Sequence, residues 1–277
     1  MKRTSTPATA VRRDIRARTP STTVTPRKSH TTSTKGASIS RAAAITPRKL
    51  LHSTDTELRC RTVYLIRHGQ SKGQVAPEHD RRFDESLTDC GLTDLGKEQA
   101  ANILLSEIDL IVCSPLTRAL QTALIAFPKH SKIVCNYDLR EVGSMIPENL
   151  PRKIHEVQAD LQEWGLDVSQ IDFESQKPDQ WPNRHETPPK VVRRDRIRDV
   201  FVRLAEKLPH DIDRIAVICH YHVIRTALSD PFDAKQSRDI QKNLHPKNAE
   251  PIRCLLHADG RLQMFPEELH SLDATQS

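Results

Sequence analysis

Two histidines and two arginines, each placed where an apolar run stops, carry the chemistry this sequence offers. In "TVYLIRHGQSKGQ", residues 62–74, β-branched and apolar residues end abruptly in Arg67-His68-Gly69. In "DLIVCSPLTRALQTA", residues 109–123, the run breaks at Ser114-Pro115 and Arg118 follows one helical turn later. In "RIAVICHYHVIRTAL", residues 214–228, the run delivers His220. An Arg-His pair at one strand end is ordinarily a solvated surface pair. Two imidazoles and two guanidinium forks on one rim suit a phosphoryl group, whose oxygens accept bidentate hydrogen bonds from arginine.

Such a rim needs elements that bring its members together. "TVYLIR" (62–67), "DLIVCS" (109–114), "KIVCN" (132–136) and "RIAVIC" (214–219) are short continuous apolar runs, the pattern of strands covered on both faces. Between them, helices are expected over 94–106 behind a Thr93 cap, over 116–127 before Pro128, over about 190–208 before Pro209, and from about Tyr221. Strands alternating with helices imply an α/β fold of three layers, a mostly parallel sheet flanked by helices. Ligands bind such sheets beyond the carboxyl ends of the strands, where Arg67, His68 and His220 fall. Gly69 is expected to let the backbone turn tightly there.

Composition bounds the rest. The chain of 277 residues is 36% hydrophobic and only 4% aromatic, enough for one large domain with an aliphatic core. No apolar stretch approaches the roughly 18–20 residues that would span a bilayer. Six cysteines without a C-x-x-C pair read as reduced thiols of an intracellular protein. The net charge of +6 is local: the first fifty residues hold twelve Lys and Arg against the single acid Asp14, so the remainder carries about −5. Residues 1–57 are dense in Ser and Thr and poor in large apolar residues, and are expected to form a disordered leader ahead of a domain at 58–277. A basic, acid-poor leader is what an organelle transit peptide looks like, which would place the protein in a mitochondrion or plastid rather than the cytoplasm. The repeated "TPRK" at Thr25 and Thr46 would suit a phosphorylated regulatory arm instead. No aromatic residues are interleaved for base stacking, so no nucleic-acid partner is expected.

The ordered set of "RHG", "LTDLGKEQA", "SPLTRALQTA", the acid in "DLREVG" and the late strand followed by histidine resembles the histidine phosphatase superfamily, with its phosphoglycerate mutase-like fold. "RHG" alone is a weak signal; five elements in order are a strong one. The likeness covers most of residues 60–230 and extends to a strand in "KNAEPIRCLL". It implies that His68 is a nucleophile forming a phosphohistidine, that Arg67, Arg118 and His220 bind the phosphate, and that Glu141 is the general acid. It implies a metal-independent phosphatase with no cofactor, acting on a phosphorylated small molecule or phosphoprotein. A phosphomutase and a phospho-ligand-binding pseudoenzyme are the alternatives.

Two positions depart from the family pattern. Gln74 stands where asparagine is usual and keeps an amide donor for the phosphate. Tyr221 stands where glycine commonly follows the second histidine, and is expected to narrow the pocket. His220 and His222 are two apart without a thiol or carboxylate to complete a metal site, so His222 reads as packing. Arg225 reads as a helix surface charge.

Overall fold

Each apolar run becomes a strand whose alternate residues enter two different cores. The computed structural model describes residues 60–130, 132–142, 146–173, 190–230 and 232–268. The chain divides into two units, Met1–Ser53 and Thr54–Ser277. The expected leader, with both "TPRK" sites, lies outside the described residues.

Among the described residues the strands are β1 (Arg61–Arg67), β2 (Leu110–Cys113), β3 (Ile133–Cys135), β4 (Ile171–Asp172), β5 (Arg214–Cys219), β6 (Pro251–Leu256) and β7 (Leu262–Met264). They form one sheet in the order β4-β3-β2-β5-β1-β6-β7. β1 and β2 both pair parallel with β5, β3 continues the parallel set through β4, and β6 and β7 add an antiparallel edge. The expected mostly parallel α/β sheet is therefore what forms. The strand expected in "KNAEPIRCLL" is β6, whereas β4 and β7, of two and three residues, are too short to leave a periodic signal.

The helices are α1 (Lys72–Val75), α2 (Glu78–Phe83), α3 (Asp94–Ala101), α4 (Thr117–Ala126), α5 (Ile154–Glu163), α6 (Lys190–Lys207), α7 (Tyr221–Ala227) and α8 (Ala234–Asn243). Val63, Leu65, Val217 and Cys254 turn to one side of the sheet and pack with Ile197, Val200 and Phe201 of α6, Ile224 of α7 and Ile240 of α8. Tyr64, Ile66, Ile111 and Ile218 turn to the other, with Leu120 and Leu124 of α4 and Leu161 of α5. This alternation explains why the strands read as continuous apolar runs: both sets of side chains leave water, at about 25 cal/mol per Å² of apolar surface.

α3 ends at Ala101, short of the 106 expected from periodicity. Asn102 donates back to the Glu98 carbonyl, Ile103 turns into the core at 6% exposure, and Leu104 is left 91% exposed. The burial of Ile103 thus overrides the helical period. Five of the six cysteines are buried and Cys60 is exposed, and no disulfide joins any of them. Among the described residues no helix is long and apolar enough to cross a membrane.

Candidate active site

The parallel pairing of β1 with β5 sets the site. Arg67 lies opposite Cys219, and the His68 amide donates to the Cys219 carbonyl at 3.0 Å, so His68 and His220 leave adjacent strands side by side. Their rings sit 5.1 Å apart, both buried, at 4% and 0% exposure. On the other side of β5, the Ser114 amide donates to the Ile218 carbonyl at 2.9 Å, which brings the end of β2 to the same rim. Ser114 Oγ lies 2.7 Å from His220 Nε2. His220 Nδ1 is buried without a partner among the described residues.

His68 Nδ1 lies 2.7 Å from the Gly69 carbonyl, a group that can only accept, so the proton sits on Nδ1 and the Nε2 lone pair is left for chemistry. Burial, and then the Arg118 guanidinium, hold the His68 pKa well below its ordinary 6.5. His220 is lowered in the same way by burial, Arg118 and His68. Both rings are neutral at neutral pH.

Gly69 serves close approach rather than a left-handed turn. Its φ is not positive, and a methyl group there would overlap the Gly96 carbonyl oxygen of α3, as one on Gly96 would overlap the Gln70 carbonyl. The glycines of "RHG" and "LTDLG" therefore let the His68 loop and α3 touch backbone to backbone. Thr122 of α4 accepts from the Gly69 amide at 3.0 Å and completes the brace.

Arg118 occupies the second position of α4 and is 2% exposed. Its Nε donates to His68 Nε2 at 3.1 Å, Nη1 to the Glu148 carbonyl, and Nη2 to Asn149 Oδ1 at 2.9 Å. No side chain of its own first turn caps α4. Asp89 does so from a distance, accepting from the Thr117 amide at 2.8 Å and its hydroxyl at 2.7 Å. Burial pushes the Asp89 carboxyl up to about 6 against those bonds.

Arg67 is half-buried. Its Nη1 donates to the Pro246 carbonyl at 3.0 Å, while its Nε is buried without a partner among the described residues. The guanidinium stands over the Tyr221 ring, 5.1 Å from its centre, with Arg225 against the same ring at 5.0 Å. Tyr221 Oη meets His245 Nδ1 at 2.9 Å. Tyr221 is thus a wall braced between two cations, and Arg225, expected to be a surface charge, is the other half of that brace. The amide of Gln74, expected to donate to the phosphate, also bonds to protein groups. Its Oε1 accepts from the Ser71 amide in the cap of α1, and both amide atoms pair with Asn248, which in turn donates to the His68 carbonyl at 2.7 Å.

Glu141 follows a short 3-10 turn at Tyr137–Leu139, next to β3. Its Oε1 accepts from the Val142 amide at 2.7 Å and its Oε2 from the His222 amide at 3.5 Å. Burial raises its pKa above 4.5 despite lowering by His222, the Val142 amide and Arg118. Burial lowers the Arg67 pKa, and the charge of Glu141 works against that lowering. Ser114, Asp89, Asn149 and Asn248 were missed by sequence reasoning. Each is a small polar residue in a loop or at a strand end, and no local pattern separates it from its many solvated counterparts.

The family model of the histidine phosphatase superfamily (branch 1) matches residues 63–261. A "Phosphoglycerate mutase-like protein" of Arabidopsis thaliana is 38% identical over 79 residues, 25% of this chain and 29% of that protein. "Phosphoglycerate mutase-like protein 2" of the same plant is 39% identical over 79 residues, 25% of this chain and 23% of its own length. The chain thus spans under a third of these curated relatives. The solved structure of an ecdysone phosphate phosphatase from Bombix mori in complex with tungstate superposes with a TM-score of 0.53 at 16% identity, over 75% of this chain and 93% of that one.

Proposed function

The chain belongs to the histidine phosphatase superfamily (branch 1), and from that premise we propose that it hydrolyses phosphate monoesters through a phosphohistidine at His68. The observation that carries the reading is the His68 tautomer: Nδ1–H is tied to the Gly69 carbonyl, so a buried, neutral ring presents its Nε2 lone pair beside Arg118. An arriving phosphate takes over the Arg118 Nε–H, which frees Nε2 to attack phosphorus in line with the leaving oxygen. Arg67 Nε and His220 Nδ1, both buried without partners, are the donors in reserve for the equatorial oxygens. For His220 this requires the Ser114 hydroxyl to donate to Nε2, leaving the proton on Nδ1.

As the N–P bond forms and the P–O bond breaks, the leaving oxygen takes a proton from Glu141. The raised pKa of that carboxyl suits a donor. The Glu141 carboxylate then accepts a proton from water, whose oxygen attacks phosphorus and breaks the N–P bond, releasing inorganic phosphate and restoring the acid. The arginines supply the positive charge that a metal ion supplies in other phosphoryl-transfer sites. The substrate we assign is a phosphorylated small molecule or phosphoprotein.

The test is turnover of an aryl phosphate in excess EDTA, with enzyme quenched in alkaline detergent and assayed for acid-labile, base-stable phosphate. His68→Ala is expected to abolish the phosphoenzyme and to slow turnover by about 10⁴-fold or more, the scale of a lost covalent nucleophile. Turnover near wild type in His68→Ala overturns the assignment. The mutase alternative is favoured by the names of the plant relatives alone. It predicts interconversion of phosphoglycerates faster than release of inorganic phosphate.

A further inference from the structure

The Glu141 carboxyl has only backbone amides to hold it among the described residues, those of Val142 and His222. Its direction therefore depends on the path of its own backbone, and one side chain from another element grips that path. Arg196 of α6 donates from Nη1 to the Asp138 carbonyl at 2.6 Å, and from Nη2 to the Arg140 carbonyl at 3.0 Å and the Glu141 carbonyl at 3.3 Å. Seven residues along the same flank of α6, Arg203 pairs with the Asp138 carboxylate at 2.8 Å.

We propose that Arg196 is a positioning residue for proton transfer: by gathering the carbonyls of Asp138, Arg140 and Glu141 around one guanidinium, it sets the direction in which the Glu141 carboxyl enters the phosphate rim. The inference rests on the reading of Glu141 as the proton donor. Its geometric basis is that a planar fork with fixed donor directions can serve three carbonyls of one turn, whereas the ammonium of lysine is a point donor on a flexible stem. The apolar stripe of α6, Ile197, Val200, Phe201 and Leu204, enters the core and carries Arg196 with it to the edge of that core. There, burial and then Arg140 lower the Arg196 pKa to about 10, so the group stays charged at neutral pH while much of its water is replaced by these carbonyls.

A mispositioned acid has a kinetic signature that a loosened fold lacks. Dinitrophenolate departs without a proton, whereas an alkoxide needs one, so the ratio of kcat/KM for an alkyl monoester to kcat/KM for 2,4-dinitrophenyl phosphate, which covers the steps up to loss of the alcohol and not the later hydrolysis that Glu141 also serves, reads the acid alone. The full chain is measured as wild type, Arg196→Gln, Arg196→Lys and Glu141→Gln, each with a melting curve. Arg196→Gln is expected to lower the ratio by about tenfold or more, as displacements of about 1 Å can cost about a hundredfold. Arg196→Lys is expected to fall between Arg196→Gln and wild type, and Glu141→Gln to give the largest loss.

Equal slowing of both esters in Arg196→Gln, or no change in either, overturns the inference. Should Arg196→Gln fail to fold, the ratio in Arg196→Lys decides, and a wild-type value there overturns it as well. A lowered ratio in Glu141→Gln with an unchanged one in the Arg196 variants sinks the positioning role alone. An unchanged ratio in Glu141→Gln removes the acid assignment and this inference with it.

Discussion

The two ends of β1 carry the same residue type in opposite states. At its start, Arg61 is 6% exposed and donates to four carbonyls: Nε to Ile212 at 2.9 Å, Nη1 to Ala205 at 2.9 Å, and Nη2 to Leu208 at 3.0 Å and Pro209 at 3.3 Å. These carbonyls belong to the last turn of α6 and the chain just beyond it, where a helix leaves its acceptors unpaired and favours a cation. At the other end, Arg67 donates from Nη1 to the Pro246 carbonyl at 3.0 Å and has a buried Nε without a partner among the described residues. A saturated guanidinium is structural glue. Arg67 instead leaves a buried donor in reserve at a cost of about 1–3 kcal/mol, as Arg196 and Arg225 do at their Nε atoms, and what sets Arg67 apart is its place next to His68, where the proposed phosphate would bind.

The largest expected contrast is in catalysis. Arg67→Ala is expected to lower kcat/KM for an aryl phosphate by about a hundredfold or more, the scale of one lost preorganised donor. Its melting temperature should remain close to wild type, because few native bonds are lost. A rate within threefold of wild type would show that the Nε of Arg67 faces away from the reacting phosphate. Arg61→Ala is expected to do the reverse. Stability in a urea titration should fall by about 2–3 kcal/mol as a charged donor is removed from several buried carbonyls, while kcat of the folded protein is retained. Loss of kcat without loss of stability would erase the distinction between the two ends.

The carboxyl-end rim also predicts how stability changes with pH. His68 and His220 are neutral in the folded protein, with pKa values held well below 6.5, so the unfolded chain binds more protons as pH falls through that value. Stability is therefore expected to decline as the pH is lowered from about 6.5. Asp89, raised from 3.8 to about 6, works in the opposite sense: its folded form binds the proton first, so its contribution is full below 3.8 and lost as pH rises through 6. Replacing His220 with Gln should flatten the acid decline measured by urea titration across this range, and an unchanged slope would show that His220 is not held neutral. The smallest expected effect is that of removing residues 1–53, which lie in a separate unit from His68 and His220. The shortened chain should keep the same kcat, and a large loss would show that the basic leader contributes to the site.

Arg67, His68, Arg118 and His220 were legible in the sequence as candidates because each follows or adjoins an element whose apolar pattern is strong, whereas Glu141 entered only through the family resemblance of "DLREVG". Strand ends and helix starts are local events, and a reactive residue type at such a junction leaves a signal. The parallel sheet was legible for the same reason, since strands buried on both faces must be apolar at every position. Gly69 was legible as a glycine and misread in purpose, because a close approach to Gly96 depends on where α3 lies and not on the local backbone.

Arg61, Asp89 and Arg196 left no trace. A charged residue at a strand start, in a loop or on a basic helix has a solvated reading that fits the sequence equally well. By itself, the order of apolar runs and their terminal residues determined the class of sheet, the rim of histidines and arginines, and the chemistry they suit. Tertiary structure alone decided which arginine is saturated, that the amide of Gln74 pairs with Asn248, and which helix holds the loop of Glu141. Burying a charge is tolerable only when distant carbonyls or carboxylates converge on it, and that convergence exists only once the chain has folded.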